Sequence, residues 1–163
     1  QVPMSISHVQ MMGKPTLEQG LLNQAIGFFN GGSRCMADIS ITPTVTNSPV
    51  SPALVCYAFS VELYLKLLHA ISSGIAPRGH KLDELYGSLP DETRAKLATV
   101  YGTSELAVHV GSVSGAFVEW RYQHEHEALS INPQILINIA KACHRLARQL
   151  KPELKVFGEN NVV

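Results

Sequence analysis

The fold is decided by residues 51–73, which read SPALVCYAFSVELYLKLLHAISS. Ser51 is a suitable helix cap, and Pro52 suits the first turn of a helix. The stretch is apolar around most of a helical circumference, and its polar stripe consists of Glu62, Lys66, His69 and Ser73. A helix that is apolar nearly all round is typical of the centre of a core. We therefore predict that this helix is the central element.

Helical patterns also flank this segment. Thr16 with Gln19 forms a capping-box pattern, and apolar residues at helical spacing follow as far as Gly31-Gly32, where we expect the helix to end. The three prolines within residues 38–52 predict a loop. The remaining patterns predict helices over residues 80–89, 90–102, 104–127 and 132–151.

The fold class is therefore predicted to be all-α, as an antiparallel bundle of four main helices plus short helices. Residues 1–15 are interpreted as a flexible N-terminal arm, residues 16–151 as the helical domain and residues 152–163 as a C-terminal tail. Gly111 and Gly115 fall inside the predicted helix over residues 104–127. They either permit close helix approach or mark a break that divides the helix.

The length and the charge of the chain limit the classes of function that it can have. A chain of 163 residues fits one domain. Thirteen basic residues balance thirteen acidic ones, which excludes a globally basic nucleic-acid binder and an acidic disordered tail. Charged residues make up only 16%, so we expect part of the surface to be covered by a partner, most simply a second copy of the chain.

Cysteine spacing and apolar runs indicate the compartment. Cys35, Cys56 and Cys143 are far apart and form no CxxC pair, which disfavours a disulfide scaffold or a zinc knuckle. The longest apolar run, residues 53–59, is too short to span a bilayer, and no signal-peptide pattern opens the chain. We interpret the protein as cytoplasmic, with no membrane contact.

Residues 121–127, RYQHEHE, form the cluster most suited to chemistry. In a helix, Arg121 and Glu125 share a face, and His124 lies near it. His126 points about 140° away on ideal helical geometry. An arginine stabilises charge that develops on phosphate oxygens, and a histidine exchanges a proton with a ribose hydroxyl or a leaving oxygen. This combination suits phosphodiester cleavage, which needs no metal or other cofactor.

Three stretches carry a further signal: AFSVELYLKLL at residues 58–68, GHKLDELY at residues 79–86 followed by Leu89-Pro90, and FVEWRY at residues 117–122 followed by Glu125. Together they resemble the HEPN domain, a small helical bundle of prokaryotic toxin–antitoxin and defence systems. The resemblance covers roughly residues 16–150. The first two stretches are similar to the family's fold rather than to its active site.

The resemblance implies a homodimer in which two motifs, each an arginine, four to six residues and a histidine, cleave single-stranded RNA. The 2′-hydroxyl attacks and a 2′,3′-cyclic phosphate remains. Arg121 and His126 match this spacing, whereas Arg121 and His124 do not. The resemblance makes Arg121 the phosphate-binding residue and His126 the general acid and base. Tyr122 stands where active members usually carry a small polar residue.

Other interpretations stay open at this point. The Trp-Arg-Tyr form also fits a non-catalytic HEPN dimerisation or interaction module that works with an antitoxin or a nucleotidyltransferase partner. Arg121 could instead pair with Glu125 or with Glu62 and fix the helix register. His126 could be a simple surface residue at a helix end.

The remaining polar residues are read as structural. Glu62, Lys66 and His69 fit a satisfied polar stripe or a dimer contact, and His80 fits a capping residue. His124 and His126 are two residues apart, whereas histidine pairs that bind metal on a helix prefer three or four, so no metal site is expected. A basic face either tracks RNA phosphates or is ordinarily solvated; it comprises Lys141, Arg145, Arg148 and Lys151.

Overall fold

The computed structural model describes residues 13–37, 40–41, 46–47, 50–125, 131–156 and 162. The regular secondary structure of the described residues is helical apart from a two-residue antiparallel ladder, in which Ser40 pairs with Asn47 and Ile41 with Thr46. The predicted all-α class is confirmed. In chain order the elements are α1 Leu17–Ala37, β1 Ser40–Ile41, β2 Thr46–Asn47, α2 Val50–Ser73, α3 Leu82–Gly87, α4 Asp91–Tyr101, α5 Leu106–Ser112, α6 Ala116–Glu119, a 3₁₀ helix Trp120–Glu125 and α7 Pro133–Leu150.

Helix α2 is the central element, as its composition predicts. It packs against α1, α3, α6, α7 and the 3₁₀ helix. Tyr64, Leu65 and Leu68 are fully buried in the hydrophobic core. By length and composition α2 could also cross a membrane, but most of it is buried inside the molecule, as in the core helix of a globular domain.

Helix α1 continues past Gly31-Gly32 to Ala37, so the predicted end of this helix is wrong. Gly32 is buried, and a Cβ atom there would lie 2.9 Å from Cε1 of Tyr57. The glycine therefore serves the close approach of α1 to α2 rather than a helix stop. The predicted start is confirmed, because Oγ1 of Thr16 accepts a hydrogen bond from the backbone N–H of Gln19 at 3.2 Å.

The segment 104–127 is not one helix. Helix α5 ends at Ser112, α6 begins at Ala116, and the chain tightens to 3₁₀ geometry from Trp120. The break lies between the two glycines, which confirms the second of the two alternatives for them. A side chain at Gly115 would collide with the Glu119 carboxylate. The division turns the chain, so that α6 and the 3₁₀ helix both contact α2.

The other helices lie close to their predicted positions. Asn132 caps α7, since its Oδ1 accepts a hydrogen bond from the backbone N–H of Gln134 at 3.0 Å. Gly102 ends α4 in the left-handed conformation with φ of 90°. Helix α7 closes the core against α2 with residues that are fully buried, including Leu136, Ile139 and Cys143.

Candidate functional site

The site is built around Glu62, a carboxylate inside the core helix. Its residue exposure is only 1%, so its charge requires partners. Lys66, one turn further along α2, donates a hydrogen bond from Nζ to Oε1 of Glu62 at 2.8 Å. Nδ1 of His80 lies 3.1 Å from Oε1 and 3.2 Å from Oε2. The two partners satisfy a carboxylate that water does not reach.

His80 has a different role from the capping role predicted for it. It lies in the loop before α3, and Lys81 occupies the N-cap position without a side-chain capping bond. The His80 side chain is 61% exposed although its Nδ1 contacts the buried Glu62. A carboxylate at one ring nitrogen orients the imidazole and directs the other nitrogen, Nε2, to exchange protons with a ligand.

Phe117 of α6 contacts both His80 and Arg121. The His80 ring stacks against the Phe117 ring with 5.8 Å between centroids and an angle of 28°. Cζ of Arg121 lies 4.3 Å from the centre of the same ring and 5.5 Å from the centre of the Tyr122 ring. Phe59 of α2 supports Phe117 from the core side at 4.9 Å. Cation–π attraction therefore orients the Arg121 guanidinium.

Arg121 does not pair with Glu62, contrary to one alternative drawn from the sequence. The Glu62 carboxylate is held by Lys66 and His80, and Arg121 is exposed. Within the described part of the chain, Arg121 contacts aromatic rings and forms no salt bridge. The other alternative, a pair with Glu125, stays a prediction, since the Glu125 side chain lies outside the described residues. Toward the residues that the structure describes, the exposed guanidinium keeps its forked donors available for an anion.

The histidines that follow Arg121 are placed only in part. The 3₁₀ helix includes the backbone of His124 and Glu125, while their side chains, with His126 and Glu127, lie outside the described residues. The pairing of Arg121 with His126 stays a prediction. Among the residues that the structure describes, no three His, Cys, Asp or Glu side chains cluster as a metal ion would require.

The side chain of His69 has hydrogen-bond partners inside the core. Nε2 of His69 lies 2.9 Å from the Leu85 carbonyl oxygen and 3.3 Å from the Ser88 hydroxyl oxygen. This arrangement ties α2 to α3, the helix that follows His80. The residue is a structural member of the polar stripe, since it is only 7% exposed.

The sequence interpretation missed a second buried pair. Nδ1 of His144 on α7 lies 2.9 Å from the hydroxyl of Tyr64 on α2. Burial, with a smaller contribution from the Arg148 charge, lowers the pKa of His144 to about 4, and burial raises the pKa of Tyr64 above its usual range. The signal was the position of His144 between Ala140 and Ala147, on the apolar side of the α7 pattern. The two uncharged side chains thus link α7 to α2.

Comparison with known proteins adds no relative. No family model matches the chain, and neither the curated proteins nor the solved structures include a significant match. The HEPN resemblance therefore stays a prediction, and the geometry around Glu62, His80, Phe117 and Arg121 is the principal guide to function.

Proposed function

We propose that the chain is a HEPN-like, homodimeric, metal-independent endoribonuclease of the toxin or defence type, which cleaves single-stranded RNA by 2′-hydroxyl attack. One observation carries the proposal. The exposed guanidinium of Arg121 and the ring of His80 both lie against the Phe117 ring, and Nδ1 of His80 contacts the buried Glu62 carboxylate. A positioned cation and an oriented imidazole are the two groups that phosphodiester cleavage requires.

Arg121 would bind the scissile phosphate. Its planar fork donates two parallel hydrogen bonds to non-bridging oxygens and stabilises the charge that grows on them during attack. The Phe117 ring holds the guanidinium without neutralising it. Tyr122 is 45% exposed beside Arg121 and offers a flat surface against which an RNA base can stack.

Two imidazoles are available to move the protons. His126 has this role by the HEPN resemblance, and His80 is added by the geometry of the site. In the reaction, a base takes the proton of the 2′-hydroxyl, O2′ bonds to phosphorus, and the bond from phosphorus to O5′ breaks. An acid gives a proton to the leaving O5′. The products are a 2′,3′-cyclic phosphate and a 5′-hydroxyl.

The test is cleavage of mixed single-stranded RNA by the purified protein in EDTA. Wild-type protein should leave cyclic-phosphate ends. Arg121→Ala should lower the rate by roughly 10²–10³-fold, as the loss of one charge-stabilising group does, and His126→Ala should lower it at least as strongly. Arg94→Ala is the matched control, because Arg94 is a partly exposed arginine that pairs with Asp91 on α4.

His80→Ala in the same assay separates the two imidazoles. A loss with His80→Ala and not with His126→Ala would assign the acid–base chemistry to the histidine held by Glu62. No cleavage above the Arg121→Ala background, from folded wild-type protein, would reject the nuclease.

The second candidate is a non-catalytic HEPN dimerisation or interaction module for an antitoxin or a nucleotidyltransferase partner. Val118 and Tyr122 favour it, since both are apolar, 45% exposed and adjacent to Arg121. Tyrosine and arginine are enriched among residues that dominate binding at protein interfaces. Sedimentation of wild-type protein and of Val118→Asp tests it: a dimer that the variant abolishes, together with absent cleavage, would support this function.

A further inference from the structure

A second polar cavity lies away from the Arg121 site, where the end of α4 meets α5 and α7. Its volume is about 300 Å³. Every residue that lines it has a polar side chain: Tyr101, Thr103, His109, Asn138, Lys141 and Arg145. None of these residues belongs to the site around Glu62 and Arg121. The cavity is at the lower end of the size range of small-molecule sites, which is roughly 300–1,000 Å³.

The charge of this cavity is positive. Lys141 and Arg145 lie one turn apart on α7, and neither forms a salt bridge in the described residues. Among the residues that the structure describes, no carboxylate lines the cavity. Two like charges at this spacing destabilise an isolated helix, so the arrangement favours an anion that lies between them.

The opposite wall is held in place by a hydrogen-bonded pair. The Tyr101 hydroxyl lies 2.7 Å from Nδ1 of His109, which fixes the end of α4 against α5. Nε2 of His109 lies 3.7 Å from the Glu105 carboxylate, which is largely exposed. Both ring nitrogens of His109 therefore have neighbours, and the wall does not need to rearrange around a ligand.

We propose that this cavity binds the phosphate group of a small phosphorylated ligand. Lys141 and Arg145 supply the positive charge, with Arg145 able to bind two phosphate oxygens through its fork. Thr103 and Asn138 supply neutral hydrogen-bond donors on the cavity wall. Phosphate is favoured over carboxylate because its several oxygens can engage both cations and the neutral donors together.

The same chemistry could be offered by a free small molecule or by the 5′-phosphate of an RNA strand. The volume of about 300 Å³ favours the small molecule, because it matches the lower end of the range of small-molecule sites. The inference is independent of the proposed nuclease, since it uses a different set of residues.

Calorimetric titration of the full chain tests the proposal with inorganic phosphate, AMP and adenosine as probes. Phosphate and AMP should bind, and adenosine should not. Lys141→Ala and Arg145→Ala should each weaken AMP binding by about tenfold or more, as the loss of a charge-assisted hydrogen bond does. Arg145→Lys should restore part of it. Circular dichroism of each variant checks the fold. Because Arg145 is exposed, we expect its variants to fold normally.

A control variant makes the result specific. Arg94→Ala should leave AMP binding unchanged, because Arg94 pairs with Asp91 on α4 and lies outside the cavity. No binding of either phosphate probe at millimolar concentration would overturn the proposal, and so would equal binding by wild type and Arg145→Ala. Binding confined to 5′-phosphorylated RNA oligonucleotides, absent for their 5′-hydroxyl forms and for AMP, would overturn the small-ligand assignment.

Discussion

The carboxylate of Glu62 lies 3.1 Å from Nδ1 of His80, although Glu62 is buried in α2 and the His80 side chain is largely exposed. The contact holds the loop before α3 against the core helix. Because the His80 ring also stacks on Phe117, the same contact sets the position of the aromatic ring on which Arg121 lies. The buried charge thus supports both stability and the geometry of the site.

Glu62→Gln should destabilise the fold and lower RNA cleavage. The amide keeps the volume but removes the charge that Lys66 and His80 share, so we expect a loss of about 1–3 kcal/mol in the free energy of unfolding. Urea unfolding measures the first effect and the EDTA cleavage assay the second. Glu84→Gln is the control, since Glu84 pairs with Lys81 at the surface. Equal stability of the two variants would contradict the role given to Glu62.

Phe117→Leu should weaken RNA binding without removing a charged group. The leucine keeps apolar contact with α2 but cannot attract the guanidinium of Arg121, so cleavage at limiting RNA should fall about threefold to tenfold. Phe59→Leu is the matched control, because Phe59 contacts the Phe117 ring and not Arg121. If both variants lose the same activity, core packing rather than the cation–π contact is responsible.

Gly32→Ala should destabilise the protein, whereas Gly27→Ala should not. A Cβ atom at Gly32 would lie 2.9 Å from the Tyr57 ring, and Tyr57 is packed in the core, so we expect a loss of about 1–3 kcal/mol. At Gly27, on the same helix, no atom lies within 4 Å, and alanine should add up to about 1 kcal/mol through helix propensity. Chemical denaturation should show changes of opposite sign in the free energy of unfolding of the two variants. A change of the same sign in both would contradict the close approach of α1 and α2.

The buried His144 should make stability fall at acidic pH. Its pKa is about 4 in the folded protein, below the usual value near 6.5, so the unfolded chain binds the proton first. Its contribution is complete above pH 6.5 and is lost as the pH falls towards 4, with a slope of up to about 1.4 kcal/mol per pH unit.

Urea unfolding across this pH range, in wild type and in His144→Leu combined with Tyr64→Phe, isolates this effect from the surface carboxylates. Asp83 and Glu92 also have lowered pKa values, through hydrogen bonds from Ser114 and Lys96. The wild type and the double variant both retain these two carboxylates. The double variant should show a shallower slope. An unchanged slope would mean that His144 has the same pKa in the folded protein as in the unfolded chain, which would contradict its burial as a neutral group.

The parts of the fold that depend on local pattern could be predicted from the sequence. The polar stripe of α2 and the Asn132 cap of α7 are such parts, since each uses residues within one helix or one turn. The predicted end of α1 was wrong. A Gly-Gly pair is a local stop signal in the sequence, whereas the role of Gly32 depends on its contact with Tyr57 of another helix.

The site itself was harder to predict, because its members come from different elements. Glu62 and Arg121 were identified from the sequence, but their distance and partners were not. His80 was taken as a cap, since nothing in its own segment indicates that its Nδ1 faces a carboxylate 18 residues earlier. Arg121 lies only four residues after Phe117, so their contact is local, whereas the contact of Phe117 with His80 depends on the break after α5, which the sequence left open as one of two alternatives.

The close packing of α1 on α2 has a consequence for the order of assembly. The two helices are neighbours in the chain, and Gly32 lets their axes approach, so they can form a hairpin of short-range contacts early in folding. Helix α7 joins α2 only by closing a much longer loop. His80 is also close to Glu62 in the chain, 18 residues away, so their contact can form at the same early stage. Arg121 must close a longer loop, and we therefore expect it to complete the site last.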